Sequence, residues 1–396
     1  MNNNIANKFN YQIPFQFFKF IGTHSEMGFQ QGKTFSKNLS HTIFLLKNHE
    51  EINNLRPKLV PKSLFLKVAS NKAMKQLKPI FEKYLPYQTE RIVGIAEGSN
   101  IPINYIYLML SSEILLGRPD YIIPNLKGCT DIVYSKSKSL NGHILVSRNF
   151  DFERFVVDLL CLRFNKPNNR YKSWDLSASP LTGTFNGMNE KGLFIATNEA
   201  FPIKEVEIGL PASAIIQEAL ETCENANDVY NLIKDLPRGS GNIFCVADRE
   251  ENIFAIEYTS KRIYKREMNK NYIVITNHYL IDDLKPIDVP RNAILGKKAH
   301  KALRGIAYNE PSYTRMEIAQ KILESKTKFN IEDIKSLIRD HSNSENNKGG
   351  LYSICHHDPI NITAAAMIFD LNSLEAWICK GSPCENEFVY FDLKSF

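Results

Sequence analysis

The sequence predicts an α+β fold of four layers, αββα, with two stacked antiparallel sheets held between layers of helix. Three observations lead there. Residues before Gly128 read as successive helices, and residues after it read as blocks of hairpin strands interrupted by helices. The strict strand–helix alternation of a parallel, doubly wound sheet is absent. The chain has 396 residues, of which 43% are hydrophobic and 23% charged, enough to bury a core of normal size.

The elements follow in order. "YQIPFQFFKFIG" is an opening strand. Thr23 and Glu26 fit a capping box, which starts a helix running through Gly28 and Gly32 toward His49, the glycine pair suiting close helix packing. "PKSLFLKVASNKAMKQLKPIFEKYL" has helical apolar spacing, "QTERIVGIAEG" is a helix ended by Gly98, and "NYIYLMLSSEILLG" is one ended by Gly117. "TDIVYS" and "HILVSRNFDF" flank the hairpin turn Leu140-Asn141-Gly142, and "VVDLLCLRF" is a third strand. "GTFNGMNEKGLFIATNEA" holds two β-like runs. One amphipathic helix is expected from Ala212 to Asp235, then strands at "NIFCVAD", "NIFAIEYT", "RIYKRE" and "YIVITNH". Helices are expected near 291–307, 313–324 and 331–339, and closing strands at "LYSICHH", "ITAAAMIFD" and "LEAWICKG".

Composition excludes several functions. The net charge is +6, from 49 basic and 43 acidic residues, and the lysines are spread rather than gathered into a stripe, so no nucleic-acid partner is expected. The first ten residues, "MNNNIANKFN", do not read as a secretory signal, and the longest apolar runs are too short and too polar for a membrane span. Seven cysteines at irregular spacing make no disulfide framework, so a reducing, cytoplasmic setting is expected.

The stretch "NLKGCTDIVYSKSKSLNGHILVSRNFDFE" carries the chemistry. A thiol titrates near roughly 8.5 and needs help to attack at neutral pH. If the Gly128–Cys129 bond is cut, Cys129 gains an α-amine with a pKa near roughly 8, which can take the thiol proton. The thiol itself can make that cut by attacking the Gly128 carbonyl carbon, and a glycine there has no Cβ to block it and tolerates strained backbone. Residues 1–128 would then form a mainly helical α-subunit and 129–396 a strand-rich β-subunit of one αββα domain. Arg148 and Asp151 lie on the return arm of the hairpin. Arg148 would favour the thiolate and Asp151 would hold the α-ammonium. An ordinary surface ion pair would also explain the two charges.

Gly128-Cys129-Thr130 with Arg148-Asn149-Phe150-Asp151 resembles the isopenicillin N acyltransferase-like group of N-terminal-nucleophile hydrolases, related to choloylglycine hydrolases and acid ceramidase-like amidases. "GTHSEMGFQQGK", "GMNEKGLFIATNEA", "RDHSNSENNKGGLYSICHH" and "ITAAAMIFDLNSLEAWICKGSPCENEF" are similar to other segments of that group, in the same order along nearly the whole chain. The resemblance implies an αββα fold and a matured N-terminal nucleophile, Cys129, supported by Arg148 and Asp151. It also implies an Asn at 277, donating to the oxyanion, and an Arg at 291, bracing the site or touching the acyl donor. Asn198 is a second candidate donor; capping of a loop or strand end is the plainer role for either Asn. The expected reaction is hydrolysis or acyl transfer on a linear amide or thioester, without a cofactor. Its substrate would be a small acyl amide or acyl thioester, and the working form an α/β heterodimer.

Two rival readings differ in class: a non-catalytic relative that keeps the fold as a binding protein, and a conventional cysteine enzyme with His143 or His341 as base. His341, Cys355, His356 and His357 match no zinc spacing, and adjacent histidines on a strand face opposite sides, so no metal is expected. His341 or His356 reads as a buried hydrogen-bonder, Cys379 as a buried thiol and Cys384 as a loop thiol.

Overall fold

The structure is a computed structural model that describes residues 16–48, 56–116, 128–296, 301–344 and 348–396. The first part of the opening-strand segment and Gly117 lie outside the described residues. Strand β1 (Phe17–Gly22) leads to helix α1 (His24–Thr34), and Thr23 and Glu26 do form the capping box. The chain breaks at Phe35, so the helix expected to reach His49 is two, with α2 spanning Ser36–Asn48. Helices α3 (Lys62–Tyr84), α4 (Pro86–Ser99) and α5 (Ile103–Leu116) follow. A β-carbon on Gly28 would lie 2.2 Å from the Arg91 carbonyl oxygen, and one on Gly94 2.2 Å from that of Ser25. Only glycines let α1 and α4 touch backbone to backbone, as the sequence pair suggested.

After Gly128 come β2 (Gly128–Tyr134), β3 (Leu145–Glu153), β4 (Leu160–Pro167), β5 (Ser173–Ala178), β6 (Asn186–Asn189) and β7 (Phe194–Glu199). The single helix expected at 212–235 is divided into α6 (Ala212–Thr222) and α7 (Ala226–Asp235). Cys223 is extended, and the Asn225 side chain accepts from the N–H groups of Asn227 and Asp228, restarting the helix in a new direction. Strands β8 (Asn242–Ala247), β9 (Ile253–Tyr258), β10 (Ile263–Glu267) and β11 (Tyr272–Ile275) precede α8 (Glu310–Glu324) and α9 (Ile331–Ile338). Strands β12 (Asn361–Asp370), β13 (Glu375–Lys380) and β14 (Val389–Asp392) close the chain. Two expectations fail. The described part of 291–307 is turns and one 3-10 turn, tied back by an Ile294–Ala307 bridge, and "LYSICHH" is irregular with isolated bridges at His356 and His357.

The strands form an eight-stranded sheet, β1-β4-β5-β6-β7-β8-β9-β10, and a six-stranded sheet, β11-β2-β3-β12-β13-β14. Neighbours are antiparallel except β1 and β4, which are parallel. Side-chain alternation sorts the core into three slabs. Ile195, Phe244 and Ile256 pack outward on α1 and α3–α7; Val133, Val146, Phe164, Phe194 and Met367 fill the space between the sheets; Ile132, Val274 and Ile368 pack under α8 and α9. The order of layers is therefore helix, sheet, sheet, helix, as expected. Polar ties also join the first third to the eight-stranded sheet and its cover. The buried Arg91 donates to Asn165 (2.7 Å), Gln31 donates to the Leu181 carbonyl (2.7 Å), and His24 pairs with Glu221 (2.7 Å).

Candidate active site

The hairpin fixes the geometry. Gly142 has φ +72°, a left-handed conformation that suits glycine, and Asn141 accepts from the His143 N–H (3.2 Å), closing the turn. The register then sets Gly128 opposite Asp151, Cys129 opposite Phe150 and Asp131 opposite Arg148. Because alternate residues share a face, Cys129, Asp131 and Arg148 all point between the sheets, while Gly128, Thr130 and Asp151 face the α8 side.

Arg148 is fully buried and crosses the gap between the sheets. Its Nη1 donates to both Asp131 oxygens (2.9 and 2.7 Å) and to Asn198 Oδ1 (2.8 Å); its Nη2 donates to the Thr197 carbonyl (2.7 Å) and lies 3.4 Å from Cys129 Sγ. This is no surface pair. Burial opposes the charge of Arg148, but Asp131 and the sulfur beside it hold its pKa above the usual value. Burial raises Asp131 to about 6, against the pull of Arg148. Burial also pushes the Cys129 thiol up to about 12, only partly offset by Arg148. At neutral pH the sulfur is thus protonated and needs a proton acceptor to react.

Asn277 lies just past β11, beside Cys129 on β2. Its Oδ1 accepts from the Cys129 backbone N–H (2.8 Å), and its Nδ2 donates to the Glu199 carbonyl (3.0 Å). An amide nitrogen has two hydrogens, so one remains beyond that bond. Asn198 Nδ2 instead has two carbonyl partners, Ile275 (3.1 Å) and Thr276 (3.3 Å). Both asparagines therefore reach the cluster, with only Asn277 touching Cys129.

Asp151 accepts from Thr363 Oγ1 (2.7 Å) through Oδ1, while its buried Oδ2 accepts no hydrogen bond. Burial holds its carboxyl above the ordinary range, against the pull of His356, Arg315 and Arg148. A β-carbon on residue 128 would stand 2.7 Å from Asp151 Oδ2 and 2.9 Å from Arg315 Nη2. That is why glycine stands at 128. Its backbone is ordinary extended strand, so close approach, not the strained conformation the sequence suggested, is the reason.

Arg291 is not brought to the cysteine. Its guanidinium is at the surface, paired with Glu310 (2.6 Å) and Glu317 (3.1 Å) and stacked on Tyr313. The arginine that does arrive is Arg315 on α8, which sequence reasoning missed. It donates to Asn277 Oδ1 (2.9 Å) and Thr130 Oγ1 (3.2 Å), and burial lowers its pKa. Ser312, one turn earlier, accepts from the Asn277 N–H (2.8 Å) and bonds to His278 Nδ1 (2.8 Å). No short-range pattern marks a helix residue that meets a distant strand. Asp131 was also missed, although the hairpin register alone places it opposite Arg148.

No histidine bonds to Cys129 among the described residues. His143 pairs with Asp370 (2.8 Å) at the far end of the hairpin, and His356 pairs with Asp358 (2.7 Å). His341 lies instead with Cys355, His357 and Cys384, whose metal-ligating atoms all fall within 4.8 Å of one another. No helix among the described residues is long and apolar enough to cross a membrane.

Residues 137–385 match the family model described as acyl-coenzyme A:6-aminopenicillanic acid acyl-transferase. The match takes in Arg148, Asp151, Asn198, Asn277 and Arg315 and starts just after Cys129. A curated relative, the β-alanyl-dopamine/carcinine hydrolase of Drosophila melanogaster, is 22% identical over 390 residues, 92% of each chain. Two solved structures are similar at low score. Conjugated bile acid hydrolase from Clostridium perfringens, in a mutant form, has a TM-score of 0.43 and 13% identity over 68% of this chain and 93% of that one. Penicillin V acylase from Agrobacterium tumefaciens has 0.42 and 16% over 68% and 87%.

Proposed function

The chain belongs to the acyl-coenzyme A:6-aminopenicillanic acid acyl-transferase family, and from that premise we propose a self-processing amide hydrolase or acyltransferase with Cys129 as its N-terminal nucleophile. The observation that carries the reading is the convergence on one backbone nitrogen and one sulfur. The Cys129 N–H is held by Asn277 Oδ1, its sulfur lies 3.4 Å from Arg148, and an unbonded carboxylate oxygen of Asp151 stands beside Gly128.

In the first step Sγ attacks the Gly128 carbonyl carbon and gives up its proton, which moves to the Cys129 nitrogen beside it. The C–N bond breaks as the proton reaches the Cys129 nitrogen, leaving a thioester. Water then hydrolyses the thioester to a Gly128 carboxylate and a free Cys129 amine and thiol. That amine, with a pKa near roughly 8, is a better matched base than anything else against the sulfur. In turnover it takes the thiol proton, the thiolate attacks the acyl carbonyl, and the ammonium returns the proton to the leaving amine. The acyl group then passes from sulfur to water, or to a second amine. The second Asn277 N–H suits the developing oxyanion, a contribution on the order of 10²–10³ in rate.

The two pieces stay together as an α/β heterodimer. The parallel β1–β4 pairing and the buried Arg91, Gln31 and His24 bonds run across the division at 128/129. Seven unpaired thiols fit a reducing compartment. The curated relative's name makes β-alanyl amides of amines the first substrates to try. The test is to supply acyl probes that differ only in the acyl group, including β-alanyl amides and thioesters, and to map the trapped adduct by mass. A labelled Cys129 supports the proposal; an adduct on another residue overturns it.

A further inference from the structure

His341, after α9, joins Cys355 and His357 on the irregular loop before β12 and Cys384 on the turn after β13. Their donor set is two sulfurs and two imidazole nitrogens. His357 Nε2 lies 3.4 Å from Cys355 Sγ and 3.2 Å from Cys384 Sγ. One ring nitrogen has one hydrogen or one lone pair, so it can make only one well-aligned hydrogen bond to the two sulfurs. A single ion placed between them bonds both. With Zn–N near roughly 2.0–2.1 Å and Zn–S near roughly 2.3 Å, a tetrahedron has N–S edges of about 3.5 Å, close to what is seen. The rings of His341 and His357 stand at 81° with centroids 5.1 Å apart, edge to face, so that both can offer a nitrogen to one centre.

The backbone is built around this cluster. Gly349 has φ +81°, and a β-carbon there would stand 2.4 Å from His357 Cδ2 and 3.0 Å from His341 Nε2. Any other residue would be strained and would push the rings apart. The Cys355 N–H donates to the Asp340 carbonyl (3.1 Å), and Gly349 N–H donates to Ser344 Oγ (3.0 Å), fixing the loop on both sides.

We propose that His341, Cys355, His357 and Cys384 form a closed tetrahedral zinc site that pins this loop. Two thiolates and two imidazoles select zinc over magnesium or calcium, and four protein ligands leave no open position, so the ion is structural. Binding releases two thiol protons to solvent as two S–Zn bonds form, and the thiolates offset the charge of the ion. The site lies behind Asp151. His356, between two of the ligands, donates its backbone N–H to Thr363 Oγ1 (2.9 Å), and Thr363 donates to Asp151. The zinc claim stands whether or not Cys129 is the nucleophile.

The test uses the full chain, expressed with zinc and purified without a metal-affinity tag. Metal analysis should find about one zinc per chain, and Cys384→Ser and His341→Ala should each lower it more than about tenfold. If those variants do not fold, the wild-type chain loaded with cobalt(II) decides. Tetrahedral d–d bands with thiolate charge transfer support the site, and an octahedral spectrum without them overturns it. A wild-type chain that takes up no zinc also overturns it. So does undiminished zinc in both variants, or a mass two hydrogens low that maps to a Cys355–Cys384 disulfide.

Discussion

Gly128→Ala tests the geometry around the proposed cleavage point between Gly128 and Cys129. The added methyl carbon would lie 2.7 Å from Asp151 Oδ2 and 2.9 Å from Arg315 Nη2, whereas ordinary contact begins at 3.4 Å. The carboxylate must therefore move about 0.7 Å, the difference between 3.4 and 2.7 Å. It cannot do so freely, because Thr363 holds its other oxygen and Asn277 and Thr130 hold Arg315. Overpacking of this kind costs about 1–3 kcal/mol. Misplacing a catalytic group by about 1 Å costs on the order of 10²-fold in rate. Self-cleavage should slow by roughly tens-fold, with a Tm lower by about 2–4 °C for each kcal/mol lost. The assay is the fraction of intact chain against time by denaturing gel and mass. Alanine adopts extended backbone without strain, so only the steric argument predicts a defect. Processing at the parent rate with an unchanged Tm refutes it.

Four further outcomes follow from the same contacts. Asp151→Asn keeps the shape and removes the carboxylate that would hold the new α-ammonium, so amidase turnover of the processed chain should fall by about 10²-fold while the fold survives; an unchanged turnover sinks Asp151 as the group that positions the amine. Asp131 is raised to about 6 on folding, so its contribution is full below about 4 and is lost as pH rises through about 6. The urea stability of the parent relative to Asp131→Asn should therefore decline between those values and level off above, and a difference that rises with pH contradicts the assignment. Arg315→Met should lower kcat more than it raises KM, because Asn277 loses a partner; Arg291→Met, whose ion pairs are exposed, should change stability by at most about 1 kcal/mol. After processing, residues 1–128 should co-elute with 129–396 until denaturant is added, and spontaneous separation in buffer would contradict the β1–β4 and Arg91 ties.

Where the sequence was legible, a local rule carried the information. Leu140-Asn141-Gly142 fixed the hairpin, and the hairpin fixed Cys129, Arg148 and Asp151 relative to one another. The Thr23–Glu26 box and the Gly28/Gly32 spacing were equally local. Asp131 follows from the same register and needed only the residue opposite Arg148 to be asked for. The division at Asn225 was also readable, since Asn225 and Asp228 form a capping box inside the stretch taken as one helix. Arg315 was not. It meets Thr130 across 185 residues, through a helix whose rotation no short pattern sets. Arg291 lay in the expected segment, but Glu310 and Glu317 on α8 draw its charge to the surface. The thiol–imidazole cluster escaped for a similar reason. His356 turns to Asp358 in a segment that is not the strand expected there, and the fourth member, Cys384, comes from a turn after β13.

The most direct measurement is the mass and N-terminal sequence of the purified chain, taken beside its amidase activity. The account predicts two fragments meeting between Gly128 and Cys129, the larger beginning with a free cysteine, and a Cys129→Ala chain that stays whole and inert. A wild-type chain that turns over acyl amides at full rate as one unbroken polypeptide would contradict it.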